Sequence, residues 1–326
     1  MKKRHKRYIK LGLKALISVS FVIWLIYRID WSEVLIYVEK IEVWHVFLYI
    51  ALYLVSMLIS AYKWRIITKS KQIYSNLWDL SVFYLTGTFI NNFMPSFIGG
   101  DAYRSYEVGK RSQNEFAQSA STVIFDRVTG FLATFILVII FSLFNFKKVL
   151  ESPILIITNI LILSSFGIDA ALIMIRRTPL WVFIKKLVPE SIIRVAQEMK
   201  SFSGNKKILY SSILWGMIFN FVGVAVLNWI IFWSLNIRID LLDYLSVIFL
   251  ISIVTAAPIS INNIGISEWA YVTFFGIFGV NPAAVVTIPI MTRFFKMFAS
   301  FFVLPLYMKN KNWKEEIAVT KDLFKK

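Results

Sequence analysis

The chain has 326 residues, is 58% hydrophobic and 17% aromatic, carries a formal net charge of +17 and contains no cysteine. A soluble domain is about 45–50% apolar, so the excess predicts a polytopic membrane protein. The absence of cysteine excludes structural disulfides, thiol catalysis and cysteine metal sites. The two histidines, His5 in a basic tail and His45 near a helix end, leave no histidine-rich metal cluster and no obvious triad; no cofactor is expected.

At the N-terminus, Lys2-Lys3-Arg4-His5-Lys6-Arg7 precedes an apolar run over residues 15–27. No small-residue cleavage site follows, so an uncleaved membrane helix over 11–27 fits better than a signal peptide. Apolar segments of spanning length, about 20 residues, recur near 11–28, 43–62, 121–146, 153–175, 208–235 and 283–308. Two further stretches, 78–100 and 244–281, are apolar but interrupted. The expected architecture is an all-α polytopic helical bundle with about six full crossings. The chain 1–326 forms a single integral membrane domain with a basic tail at 1–10, a basic loop at 176–207 and a tail at 309–326.

Charge orders these segments. If each interrupted stretch enters and leaves on one side, the loops 1–14, 63–78, 101–118, 176–207 and 309–326 hold 28 of the 36 Lys and Arg. The positive-inside rule then places them, with both termini, in the cytoplasm of a cell-membrane protein. The net charge needs no nucleic-acid partner. Loop 176–207 reads equally as an amphipathic surface helix, with Lys185, Lys186 and Arg194 near anionic headgroups, or as an ordinary cytoplasmic loop. Trp24, Tyr27, Trp31, Trp44, Trp229 and Trp233 read as interfacial belt residues.

The interruptions carry the chemistry. Residues 91–101 (NNFMPSFIGGD) and 258–268 (PISINNIGISE) place Pro, Gly, Asn and a carboxylate where a simple membrane helix carries Leu and Val. Backbone at membrane depth breaks its helix only where protein or a polar cavity surrounds it. The topology makes the two stretches re-entrant hairpins dipping in from opposite sides, as an inverted repeat produces. A weak internal match agrees: Pro95, Asp101 and Arg127 parallel Pro258, Glu268 and Arg293, with acid-to-arginine separations of 26 and 25 residues.

Charged residues within apolar segments are rare because insertion at the bilayer centre costs roughly 2.5–3.5 kcal/mol. Arg127, Arg293 and Lys296 are the cations; Asp126, Asp169 and Glu268 are the acids, with Asp101 at the mouth of the first break. Asp126 and Arg127 project about 100° apart on a helix and serve different faces: one arrangement sends Arg127 into a cavity and Asp126 to another helix. Arg293 and Lys296 share a face and require an acid such as Glu268 or an anionic ligand. The bland readings stand beside these: interhelical clamping, and snorkelling for Lys296. The pairs Asn91-Asn92 and Asn262-Asn263 serve as helix caps, as ligand contacts or as both. Gly99, Gly100 and Gly265 read as backbone devices.

The series Pro95-x-x-x-Gly99-Gly100-Asp101-Ala102-x-Arg104, Ser119-Ala120-Ser121-Thr122-Val123-x-x-Asp126-Arg127-x-x-Gly130 and Pro258-x-x-x-x-Asn263-x-Gly265-x-x-Glu268 resembles the lysylphosphatidylglycerol synthase transmembrane-region family. That family comprises the flippase-like membrane half of multiple peptide resistance factors and free-standing relatives. The resemblance implies a bundle with two re-entrant elements that moves a phospholipid, such as aminoacylated phosphatidylglycerol, or a lipid-linked headgroup between leaflets. By motif position it implies functional places for Asp101, Arg104, Asp126, Arg127, Gly265 and Glu268. Substrate contacts are expected at Asp101, Arg104, Asp126, Arg127, Asn263, Glu268 and Arg293, with Pro95, Gly99, Gly100, Pro258 and Gly265 shaping the loops. Only eighteen residues follow position 308, which leaves no room for a soluble aminoacyl-transferase domain, so a transporter rather than an enzyme is expected. The segment Ile259-Ser260-Ile261-Asn262 departs from the family's usual Gly-rich spacing. The alternatives are a membrane-embedded transferase acting on a lipid, and a non-transporting partner of an envelope-synthesis enzyme. A second copy of the chain is the other protein partner left open.

Overall fold

The computed structural model describes residues 29–73, 76–93, 98–112, 116–175, 201–257 and 260–303, together with isolated positions in 19–27 and 195–199. For 165–175, which include Asp169, only the backbone path is described. The predicted first span, the basic tail 1–10, most of loop 176–207, the tail 309–326, and Pro95 and Pro258 lie outside the described residues.

Every regular element described is helical. In chain order these are α1 (Trp31–Glu39), α2 (Val43–Ser70), α3 (Leu77–Phe93), α4 (Ile98–Ser112), α5 (Phe116–Phe144), α6 (Phe146–Glu151), α7 (Pro153–Ile175), α8 (Lys206–Ser234), α9 (Leu241–Ala256), α10 (Ile266–Gly276) and α11 (Pro282–Phe301). Helix starts follow local chemistry. Asp30, Asn205, Asp240 and Asn281 cap α1, α8, α9 and α11 by accepting backbone N–H groups of the first turn, which satisfies donors that have no helical partner. Proline at the first position of α11 gives up no bond there.

Among the described residues, four helices are long and apolar enough to cross a membrane: α2, α5, α8 and α11. They coincide with four predicted spans. Shorter apolar helices cover Pro153–Ser164 and Leu241–Ala256. The protein is therefore a polytopic helical membrane protein. α8 packs against α2 and α5, and Asn220 fastens it there by donating to Thr134 Oγ1 at 2.9 Å. A wide π turn over Phe221–Val226 follows at once.

Two segments read as loops are helix. α2 runs on to Ser70, so Lys63 lies inside it and is buried. Residues 98–112 form α4, with Arg104 buried, rather than a cytoplasmic loop. The polar sequence of α4 packs on α3 and α5 rather than facing lipid, which is why hydropathy passes over it.

α3 and α4 fold back on each other as a helical hairpin. At its base Arg111 pairs with Asp79 at 2.5 Å. Near its tip a Cβ on Gly100 would lie 2.2 Å from the Gly87 carbonyl oxygen, so only glycine permits this approach. α9 and α10 form a second hairpin, closed at its base by Tyr244 packed on Phe275 at 5.9 Å. α5, about 43 Å long at 1.5 Å per residue, relates the two. The first base adjoins its N-terminal end, since α4 ends at Ser112 and α5 begins at Phe116. The second adjoins its C-terminal end, where Asn145 and Lys148 donate to the Asp243 carboxylate. The tips therefore point toward one another.

Candidate functional site

Both tips reach α11. Asn92, at the end of α3, donates to Ser300 Oγ at 2.8 Å. Glu268, in the first turn of α10, accepts from Arg293 at 2.8 Å. Arg293 and Ser300 are seven residues apart, about 10 Å along the axis, on one face of α11.

The first tip is built around two carboxylates. Asn91 Oδ1 accepts the Gly100 N–H at 2.8 Å, capping the start of α4; Gly99 and Gly100 are buried there. This fixes Asp101 in the first turn, where its charge is favourable. Asp101 holds Arg127 of α5 through two parallel bonds, Nε and Nη2, each 3.0 Å. Such fork-to-fork pairing is strong and directional. The pair is open on one side, with the Arg127 side chain 45% exposed.

One residue earlier, Asp126 faces the opposite environment. It is buried and takes Lys63 of α2 at 3.1 Å and Arg104 of α4 at 3.2 Å. The Tyr84 hydroxyl of α3 also donates to it. Lys63 adds a 2.6 Å bond to the Asp126 carbonyl. The Arg104 guanidinium lies over the rings of Tyr84 and Trp64, 4.0 and 4.6 Å from their centroids, and Trp64 donates to Thr122 at 3.1 Å. Four helices thus meet on one carboxylate.

The second tip repeats the pattern with different detail. Asn262, Asn263 and Gly265 have φ of 49°, 58° and 85°, a left-handed run that Asn and Gly tolerate. The Asn263 amide donates to the Thr255 carbonyl, closing the end of α9. The Gly265 N–H donates to Glu268 Oε2 at 2.8 Å, so Glu268 divides its carboxylate between its own helix start and Arg293. Nearby, Asn228 Oδ1 accepts from Tyr271 at 2.8 Å and from Thr292 at 3.1 Å.

The structure thus joins Asp101, Arg104, Asp126 and Arg127 in one cluster and Glu268 and Arg293 in another, while Asn263 braces the second tip. Pro95 and Pro258 lie outside the described residues. Sequence reasoning missed Lys63 and Tyr84. A signal for Lys63 existed: Ser56, Ser60, Lys63 and Ile67 share a helical face, and all four are buried. Among the described residues no cluster of three His, Cys, Asp or Glu could hold a metal ion.

The model of one protein family, the lysylphosphatidylglycerol synthase TM region, matches residues 12–303. A UPF0104 membrane protein of Pyrococcus horikoshii is 25% identical over 315 residues, covering 86% of this chain and 91% of its own. Another, from Methanocaldococcus jannaschii, is 24% identical over 260 residues, covering 74% and 76%. No solved structure matches the chain significantly. With matching sequence across nearly the whole helical body, including both broken hairpins and the helices their acids grip, the chain belongs to the lysylphosphatidylglycerol synthase TM region family.

Proposed function

We propose that this protein carries a phosphate-bearing lipid, with aminoacylated phosphatidylglycerol as the leading candidate, from one leaflet of the cell membrane to the other. The observation that carries the reading is the convergence of two opposed hairpin tips on α11, each with an acid–arginine pair at its break. Irregular backbone at membrane depth belongs to polar, protein-lined sites. Paired re-entrant elements of opposite direction are a transporter device. In this reading the hairpins are re-entrant halves of an inverted repeat, the basic loops and both termini are cytoplasmic, and acyl chains stay in lipid while the headgroup crosses. Arg127 and Arg293 bind the phosphate through charge-assisted bonds, and Asp101 and Glu268 hold the arginines between substrates.

Proteoliposomes test this. With tagged phosphatidylglycerol and an impermeant quencher, the wild type should bring inner-leaflet lipid within reach of the quencher. Arg127→Gln and Arg293→Gln should each slow transfer at least tenfold while remaining monodisperse in detergent. Unchanged transfer by both variants would remove the arginines from the mechanism. The absence of transfer by the wild type would remove the carrier reading.

A further inference from the structure

Of the cations at the two tips, Lys296 is the one that no ion pair among the described residues uses. Among the cations of the two tip clusters, Lys63, Arg104, Arg127 and Arg293 each lie within ion-pair distance of a carboxylate. Lys296 has no such partner among the described residues. It is half-buried on α11, three residues after Arg293 and four before Ser300, on the face that both hairpin tips touch.

The surrounding helices explain why no acid arrives. α11 packs against α1, α2, α3, α8 and α10. Neither α2 nor α8 contains Asp or Glu. The only acid of α3, Asp79, sits at the far base of its hairpin and holds Arg111. Glu268 of α10 has one oxygen on the Gly265 N–H and the other on Arg293. Glu33 of α1 lies at the other end of α11, where it accepts from Asn281. The arginine beside Lys296 also keeps capacity: a guanidinium has five N–H donors, and Arg293 uses Nη1 on Glu268.

We infer that Lys296 is the principal contact for the phosphate of the ligand, with the remaining donors of Arg293 as its neighbour. The ligand class is a phosphate mono- or diester anion seated between the two tips. The inference rests on the lipid-carrier reading only for its choice of lipid. An ammonium with no counter-ion among the described residues marks a ligand or ion site, and this one lies where both breaks in the fold converge.

The experiment measures binding by the full-length chain in detergent, using native mass spectrometry with phosphatidylglycerol as probe and inorganic phosphate as competitor. Lys296→Gln should lower phosphatidylglycerol occupancy at least tenfold, and Lys296→Arg should stay within threefold of the wild type. Displacement of the lipid by millimolar phosphate assigns the site to the phosphate group itself. Failure to displace, with binding still dependent on Lys296, assigns it to the lipid headgroup; both agree with the inference. Wild-type occupancy in Lys296→Gln, at an unchanged melting temperature, overturns it. If that variant does not fold, acetylation of Lys296 in the wild type decides. Phosphatidylglycerol should slow it at least fivefold, and an equal rate with and without lipid overturns the inference. The two readings fail separately. Binding that depends on Lys296 without transfer in vesicles removes the carrier and keeps the site; transfer at the wild-type rate by folded Lys296→Gln does the reverse.

Discussion

The two hairpins solve the same problem with different amounts of charge left over. In the first, Arg127 commits Nε and Nη2 to both oxygens of Asp101, and Lys63 and Arg104 share Asp126 with Tyr84. In the second, one carboxylate serves a backbone N–H and one arginine nitrogen, and Lys296 stands without an acid among the described residues. The first is a structural lock with an exposed arginine at its rim. The second is under-neutralised. Similar helix–break–helix sequences therefore differ in what they hold: the first joins four helices on one carboxylate, and the second carries the cation that we assign to an anion.

The comparison breaks first at Asp126. Replacing it with Ala leaves Lys63 buried without its acid and Arg104 with only Asp101 at 3.7 Å, and stripping one partner from a buried pair costs about 3–5 kcal/mol. Thermal unfolding in detergent should register this as the largest loss of any single change at either tip. Glu268→Gln should cost less, about 1.5–3 kcal/mol for a charge-assisted bond, because Arg293 keeps access to solvent or ligand. Equal losses at the two sites would erase the distinction. Gly100→Ala should destabilise by about 1–3 kcal/mol through overpacking, because the added carbon meets the Gly87 backbone. Gly276→Ala, where it meets nothing within 4 Å, should stay within about 0.5 kcal/mol.

The smallest effect lies outside the bundle core, at the cap of α1. Hydrogen bonds from Ser32 and Glu33 hold the Asp30 carboxyl below its usual range. A depressed carboxylate contributes stability above its unfolded value, about 3.9, and loses it as pH falls through the folded value. Amide exchange at Ser32 and Glu33 should therefore quicken below about pH 4. In Asp30→Asn, which caps without titrating, it should not.

Much of this was legible in the chain. The long apolar helices announced themselves by length, and Pro, Gly and Asn marked the breaks. The spacing from acid to arginine, Asp101 to Arg127 and Glu268 to Arg293, became two real ion pairs because each joins the start of a short helix to the helix that follows. Pattern reading failed on α4 and on the last turns of α2. Their charged residues resemble solvated loop, and only tertiary packing reveals that Lys63 and Arg104 are satisfied by a carboxylate far along the chain. Hydropathy registers transfer to lipid and is blind to polar helices enclosed by other helices. The role of Tyr84 carried no sequence signal at all, since a tyrosine in an apolar helix looks like packing.

α11 is gripped at Ser300 by one tip and at Arg293 by the other. A rod held at two points by loops anchored at opposite ends of the molecule cannot slide or turn without disturbing both grips at once. A shift of α11 along its axis therefore breaks the Asn92–Ser300 and Glu268–Arg293 contacts together, with no need for a relay of side chains.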